Sequence, residues 1–403
     1  MTNNISFTNS EKIAVITLAS VYGLRMLGLF LIMPVIAVDL NASSGGENAL
    51  VVGLVIGIYG LTQAIFQIPF GMASDKYGRK PIIILGLIIF TCASFWAANA
   101  ESTYSLIFAR ALQGVGAVSA AASAFLADLT REVVRTKAMA MVGISIGLSF
   151  VISLVFAPVL YGIIGLGGLF YIVGILGLFA IILVFKIPVI KSNSKNIGFS
   201  KTNYSFKTII FNSQMLRLNL SIFFLMFTQA AMFLVVPSLI LNFGIEVSSH
   251  WKIYLPVLVI SFFIMYLVIS QSEKEKQQKK YFIISIVLIL ISLGVIWGLK
   301  EVFVLWVCGL CIYFVGFNLL EAFLPSWVSK IASIKHKGLA LGIYNTWQSI
   351  GIFAGGLIGG HFFGKFGING LFSFSIFLLI IWLLVSFGLE DKVYASKSLQ
   401  TVK

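Results

Sequence analysis

The chain has 403 residues, 59% of them hydrophobic and only 10% charged, where a soluble globular protein carries about 25% charged residues. That composition excludes an ordinary soluble domain. The 28 basic and 14 acidic side chains leave a formal charge of +14, but they sit in short runs between long apolar stretches, which excludes the clustered basic face of a nucleic-acid binder.

Crossing about 30 Å of hydrocarbon takes roughly 20 apolar residues in a helix. The opening MTNNISFTNSEK has no basic region leading into a short apolar core and a small-residue cleavage site, so no removable signal is expected and the first apolar segment stays in the protein. Spans are then predicted at 13–38, which contains Arg25, at 48–74, at 81–100, and at 102–127, which contains Arg110. The interval 138–185 is too long for one crossing, and the cluster Gly162, Gly165, Gly167, Gly168 marks a turn inside it. Further spans follow at 218–245, 253–272, 281–299, 302–329, 338–364 and 366–389, the fourth of these containing Glu321 and bordered by Lys330. Twelve transmembrane helices result. Their continuous apolarity, without in-and-out alternation, excludes a β-barrel. Cys92, Cys308 and Cys311 all lie within apolar runs, which argues against an extracellular disulfide framework.

Lys and Arg concentrate in cytoplasmic loops. Assigning alternate connections to one side collects 23 of them there, while Lys252, Lys300 and Lys365 fall on the other side. Both termini are therefore expected to be cytoplasmic, and the basic surplus is a topology signal that also meets anionic membrane lipid. The longest connection is polar and divides the chain into a six-helix bundle at 1–187, a linker at 188–214, a second six-helix bundle at 215–389 and a short tail at 390–403. Sliding the chain by 200 positions places Asp75-Lys76 and Arg79-Lys80 on Glu275-Lys276 and Lys279-Lys280, and Lys137–Met141 on Lys337–Leu341. Parallel repeats of this kind build transporters whose substrate site lies near mid-membrane at the repeat interface.

Residues 71–80 read Gly-Met-Ala-Ser-Asp-Lys-Tyr-Gly-Arg-Lys. The segment resembles the cytoplasmic signature of the major facilitator superfamily with every fixed position filled, and it falls between spans two and three. In span four, Arg110-Ala-Leu-Gln113-Gly114-Val-Gly116 resembles a second signature, that of the proton-linked drug-efflux branch. RMLGLFLIMPV at 25–35, YGLTQAIFQIPFG at 59–71, DLTRE at 128–132, RTKAMA at 135–140 and NLLEAFLPS at 318–326 are similar to the YajR-like subgroup of bacterial inner-membrane transporters. The resemblance implies an all-α membrane protein of the major facilitator fold, with two pseudo-symmetric six-helix bundles. Better-known members of that subgroup carry a soluble C-terminal domain, whereas this chain ends about fourteen residues past Leu389, so regulation by such a domain is not expected. The antiporter signature of span five is also altered: Ala157-Pro158-Val159-Leu160-Tyr161-Gly162 stands where a Gly-Pro pair and a Gly-Gly are usual, with Ser153 at another glycine position.

Helix dipoles favour acids at N-termini and bases at C-termini. Asp75 and Asp128 end spans two and four, while Arg79 and Lys80 open span three; each sits at the unfavourable end and needs a neighbour. Arg79 is expected to meet Asp128, and Asp75 the start of span eleven near Lys337 and Gly338. The resemblance implies that Gly71, Asp75, Lys76, Gly78, Arg79, Lys80 and Asp128 form a cytoplasmic gate that latches the halves. Gly71 would allow close helix approach, Gly78 a tight turn, and Pro81 suits a first helical turn. Solvated topology charges are the alternative, but Asp75 adds nothing to topology.

A charge at the centre of a span costs about 2.5–3.5 kcal/mol, so Arg25, Arg110 and Glu321 need a reason to be there. Glu321 is the acid well inside a span and the first proton-coupling candidate. A static pair with Arg25 or Arg110 and direct substrate binding are its other readings. The resemblance gives Arg110 a part in proton transfer, against a structural role. Arg25 is a candidate for cavity lining or anion binding. Gln63 and Gln67 share a helix face, as do Ser145, Ser149 and Ser153; cavity lining and interhelical hydrogen bonding are both open. Gln113, Asn318, Asn345 and Gln348 complete the substrate-cavity candidates. The segment Ser272–Lys280, a copy of the signature without its glycines, is expected to be a solvated loop.

The three histidines, His250, His336 and His361, suggest no metal site, and no Gly-rich phosphate loop is present. No cofactor is expected. The expected function is proton-coupled efflux of a small organic or amphipathic substrate by a monomer in the bacterial inner membrane, with proton-linked import or uncoupled facilitation as alternatives. An enzyme would need a nucleophile with a base, and a sensor a soluble output domain; neither is visible.

Overall fold

The computed structural model describes residues 6–43, 49–116, 118–187, 212–275, 277–332 and 337–390. Most of the expected linker, all of the tail beyond Glu390, and residues 333–336 lie outside the described residues. The described chain is helical, with no strand among the described residues. The helices are α1 (Asn9–Phe30), α2 (Met33–Ser43), α3 (Ala49–Tyr77), α4 (Arg79–Ala98), α5 (Thr103–Val115), α6 (Ser119–Asp128), α7 (Glu132–Phe185), α8 (Ser213–Asn242), α9 (Trp251–Glu275), α10 (Gln278–Gly298), α11 (Phe303–Ile331) and α12 (Lys337–Phe387).

Among the described residues ten helical stretches are long and apolar enough to cross a membrane; α1 with α2, and α5 with α6, each count as one. Two of the ten run for 53 and 49 residues, or about 80 and 74 Å at 1.5 Å per residue, more than twice the hydrocarbon thickness. Each breaks at a glycine in left-handed backbone, Gly165 at φ +67° and Gly367 at φ +63°, a conformation that a side chain disfavours. Divided there, the ten stretches become twelve segments. Large apolar side chains such as Phe108, Ile144, Phe263 and Leu384 are more than half exposed. Apolar surface on that scale suits lipid and not water.

The chain forms two compact units. One joins Met1–Gly46 to Ile58–Ser205, and the other joins Glu47–Gly57 to Phe206–Lys403. The division thus runs through α3, a feature that the apolar length of span two does not reveal. Glycine is the physical reason: a Cβ on Gly53 would lie 2.0 Å from the Gly356 carbonyl oxygen, and one on Gly57 2.8 Å from that of Phe353. The start of α3 therefore lies backbone to backbone against α12 within the second unit.

In the first unit α1 lies along α7. Ser145, Ser149 and Ser153 donate hydroxyls to the carbonyls of Ala19 (2.6 Å), Gly23 (2.7 Å) and Leu27 (3.1 Å). One stripe of α7 thus matches successive turns of α1, and the serines are interhelical ties. Around them Leu18, Val21, Ile83, Leu87, Leu126 and Val184 form an apolar core. The same unit is clamped at the start of α1, where Thr8 and Glu11 form a capping box and the Glu11 carboxylate accepts from the Arg131 side chain at 2.8 Å. In the second unit α8 is buried along nearly its whole length.

Candidate functional site

The interior polar groups of the first unit converge on Tyr59, which is fully buried on α3. Arg25 of α1, 2% exposed, donates from Nη2 to the Tyr59 hydroxyl at 3.0 Å and from Nη1 to Ser119 Oγ of α6 at 2.7 Å. On the other side the Arg110 guanidinium lies 5.0 Å from the Tyr59 ring centroid, a cation over an aromatic face. Arg110 also donates to Gln113 Oε1 at 2.9 Å, and Gln113 Nε2 donates to Ser94 Oγ at 2.8 Å. The helices can come this close because residue 114 is glycine: a Cβ there would sit 2.1 Å from Thr62 Oγ1 and 2.2 Å from the Tyr59 carbonyl oxygen. Thr62 closes the same crossing by donating to the Ala111 carbonyl at 2.7 Å. Gln63 and Gln67 are buried one and two turns further along α3. Both amide atoms of Gln67 lack a hydrogen-bond partner among the described residues.

In the second unit Glu321 is half-buried on α11. No hydrogen bond or ion pair reaches its carboxylate among the described residues. Asn318, one turn earlier, donates to Ser261 Oγ of α9 at 2.9 Å, and Pro325 lies inside the same helix one turn later. Gln348 points its amide at the Met226 sulfur at 3.8 Å, while Asn345, also half-buried, accepts from Ser349 through its backbone carbonyl at 2.9 Å. Among the described residues no group of three His, Cys, Asp or Glu side chains could hold a metal.

At the end of the first unit, Gly78 takes φ +97°, and this left-handed turn separates α3 from α4. It brings Arg79, the first residue of α4, back to Asp75 in an ion pair one turn away, and its Nε to Asp128 Oδ2 of α6 at 2.9 Å. Arg79 Nη1 also donates to Ser74 Oγ at 2.8 Å. Asp75 is thus met by Arg79 inside its own unit; the side chains of Lys337 and Gly338 lie outside the described residues. Lys76 is exposed beside the Tyr77 ring. Gly71 is not a tight approach, since a Cβ there would meet Ala120 at an ordinary 3.5 Å.

Lys80 does something that the signature alone does not indicate. Its ammonium donates to the carbonyls of Phe185 (2.9 Å) and Ile187 (3.1 Å) at the end of α7, where a helix leaves carbonyls unsatisfied and favours positive charge. The second unit repeats the contact. Lys279, like Lys80 the second residue of its helix, donates to the Phe387 carbonyl at the end of α12 at 3.0 Å. The expectation of a solvated loop at Ser272–Lys280 is therefore corrected. Gln278 is buried and accepts from Trp327 Nε1 at 3.1 Å, and hydrogen bonds from Gln271 and Tyr281 hold the Glu275 carboxyl below the usual carboxylate range.

Residues 13–355 match the model of the Major Facilitator Superfamily. The chain belongs to that superfamily. It is 38% identical over 395 residues to the inner membrane transport protein YajR of Escherichia coli (strain K12), covering 98% of this chain and 87% of YajR. It is 34% identical over 160 residues, 39% of this chain and 38% of the other, to the class B tetracycline resistance protein of Escherichia coli. Among solved structures, a bacterial homolog of the human lysosomal transporter Spinster, in an inward-facing and occupied conformation, superposes with a TM-score of 0.73. That match has 16% identity over 95% of this chain and 97% of the other, which shows a shared fold. The protein is a YajR-like, multi-pass membrane transporter of the major facilitator superfamily and not an enzyme.

Proposed function

We propose that the protein exports small organic or amphipathic compounds in exchange for protons, as a monomer working by alternating access in the bacterial inner membrane, with both termini cytoplasmic. Glu321 carries the reading. Its carboxylate sits within a membrane-spanning helix with neither hydrogen bond nor ion pair among the described residues, so binding a proton removes a charge that hydrocarbon disfavours. Arg110 belongs to a signature segment of proton-linked relatives and shares its ring partner with Arg25. The name of YajR supports an inner-membrane location, and that of the tetracycline resistance protein, matched over 39% of this chain, supports a small organic substrate. The Asp75–Arg79–Asp128 cluster serves as the cytoplasmic gate: exposed ion pairs are weak enough to break in each cycle. The altered span-five signature, Ala157-Pro158 followed by Gly162, favours uncoupled facilitation or proton-linked import as the second reading.

The test is purified protein in liposomes containing a pH-sensitive dye, screened against compound mixtures under an imposed pH gradient. Substrate-dependent proton release in the antiport direction is the expected result. Counterflow without a pH response replaces the exchanger with a facilitator, and proton movement along with the substrate replaces it with an importer.

A further inference from the structure

The group around Arg25 has more hydrogen-bond donors than acceptors. A guanidinium carries five N–H donors, and Arg25 places one on Ser119 Oγ and one on the Tyr59 hydroxyl. Both hydroxyl oxygens act as acceptors there, which leaves each hydroxyl hydrogen over as a further donor. The Tyr22 hydroxyl adds its own hydrogen to the Ser119 carbonyl. Arg25 Nε has no partner among the described residues although the side chain is 2% exposed. The acceptors found for Arg25 among the described residues, Ser119 Oγ and the Tyr59 hydroxyl, are neutral. Arg110 adds a second positive charge over the face of the same tyrosine. What Arg25 Nε lacks among the described residues is an acceptor.

We propose that Arg25, Tyr59 and Ser119 receive an anionic group of the transported compound, a carboxylate or comparable oxyanion. The proposal rests on the transporter reading above and names the substrate class for it. An oxyanion accepts from Nε and from the spare hydroxyl hydrogens, forming charge-assisted bonds that match the planar guanidinium fork. A cationic amine finds like charge there, and a neutral amide finds only weaker neutral bonds, so the site discriminates by sign. Because Arg25 is closed off in this conformation, the anion enters in a more open state and favours the state that holds it. A purely structural Arg25, tying α1 to α3 and α6, would show no such preference.

The test measures thermal unfolding of the purified full chain in detergent, with no gradient, in the presence of 4-phenylbutyrate, its neutral amide or 4-phenylbutylamine at equal concentration. The carboxylate alone is expected to raise Tm. Arg25→Gln should weaken that response about tenfold or more, Arg25→Lys should retain part of it, and Tyr59→Phe should weaken it while preserving the ring. An equal response to the amide or amine, no response to the carboxylate, or an undiminished response in Arg25→Gln overturns the proposal. Should Arg25→Gln fail to fold, an unchanged response in Tyr59→Phe overturns it instead. A carboxylate response without proton movement in liposomes sinks the coupling and leaves the site. Proton-coupled transport without a carboxylate response does the reverse.

Discussion

The two units hold their helices together by matching contacts while their charges have diverged. In the first unit the Tyr171 hydroxyl donates to Asn99 Oδ1 at 2.6 Å; in the second Trp297 Nε1 donates to Asn369 Oδ1 at 2.8 Å. The asparagine has changed helices, yet the bond joins the corresponding helix pair. Lys80 and Lys279 cap corresponding helix ends in the same way. The ionic features differ. The first unit has the Arg79 cluster and two buried arginines around Tyr59, whereas the second has Glu321 on a membrane-spanning helix and Glu275 bound by Gln271 and Tyr281. A hydrogen bond across a fixed helix pair can be kept by any donor and acceptor that reach. A charge in hydrocarbon is costly, and the function proposed above gives the charges of the two units different tasks.

The sharpest way to break this comparison is Glu321→Gln, which should abolish substrate-dependent proton movement while leaving the protein folded. Dye-loaded liposomes and size-exclusion chromatography check the two halves of that statement, and retained coupling would remove Glu321 from proton carriage. Next in size is a pair of glycine substitutions. Gly114→Ala should destabilise by about 1–3 kcal/mol, because its Cβ meets Thr62 and the Tyr59 backbone at 2.1 and 2.2 Å. Gly316→Ala in the second unit should cost less, its nearest neighbour being the Ser285 carbonyl oxygen at 2.7 Å. Denaturant titration in mild detergent ranks them, and the opposite order would place the tighter crossing in the second unit. Smaller still, Lys80→Met and Lys279→Met should each lower stability by about 0.3–1 kcal/mol. Unequal losses in thermal unfolding would mean that the two caps are not equivalent. Smallest is the Arg79→Gln, Asp128→Asn double-mutant cycle, with a coupling of about 0.2–1 kcal/mol for side chains 22% and 44% exposed. Spin-label distances across the transport cycle should nevertheless shift, since a gate acts through populations and not through fold stability.

Some of the site could be read before any coordinates. Arg79 and Asp128 sit at the wrong ends of their helices, and that electrostatic misfit is visible in the order of residues; the structure places them 2.9 Å apart. Tyr59 could not be found so directly, because an aromatic residue in an apolar span has many roles. Its one signal was its place a turn before Gln63 and Gln67 on the same face of α3. Ser145, Ser149 and Ser153 were equally suited to lining water or to tying helices until α1 was seen to present three carbonyls in register. Lys279 was hidden because its partner, the Phe387 carbonyl, is 108 residues away and is a backbone atom that no motif records.

Residue order by itself determined that this chain crosses a membrane many times, roughly where it does so, and which charges it carries into hydrocarbon. Those properties follow from apolar length and from the cost of burying charge, both local quantities. Only the tertiary structure decided that two arginines share one tyrosine, that the start of α3 packs with the second unit, and that the serine stripe faces backbone and not water. Each of these depends on which helix faces meet, and such meetings join residues far apart in the chain at distances set by glycines and hydroxyls.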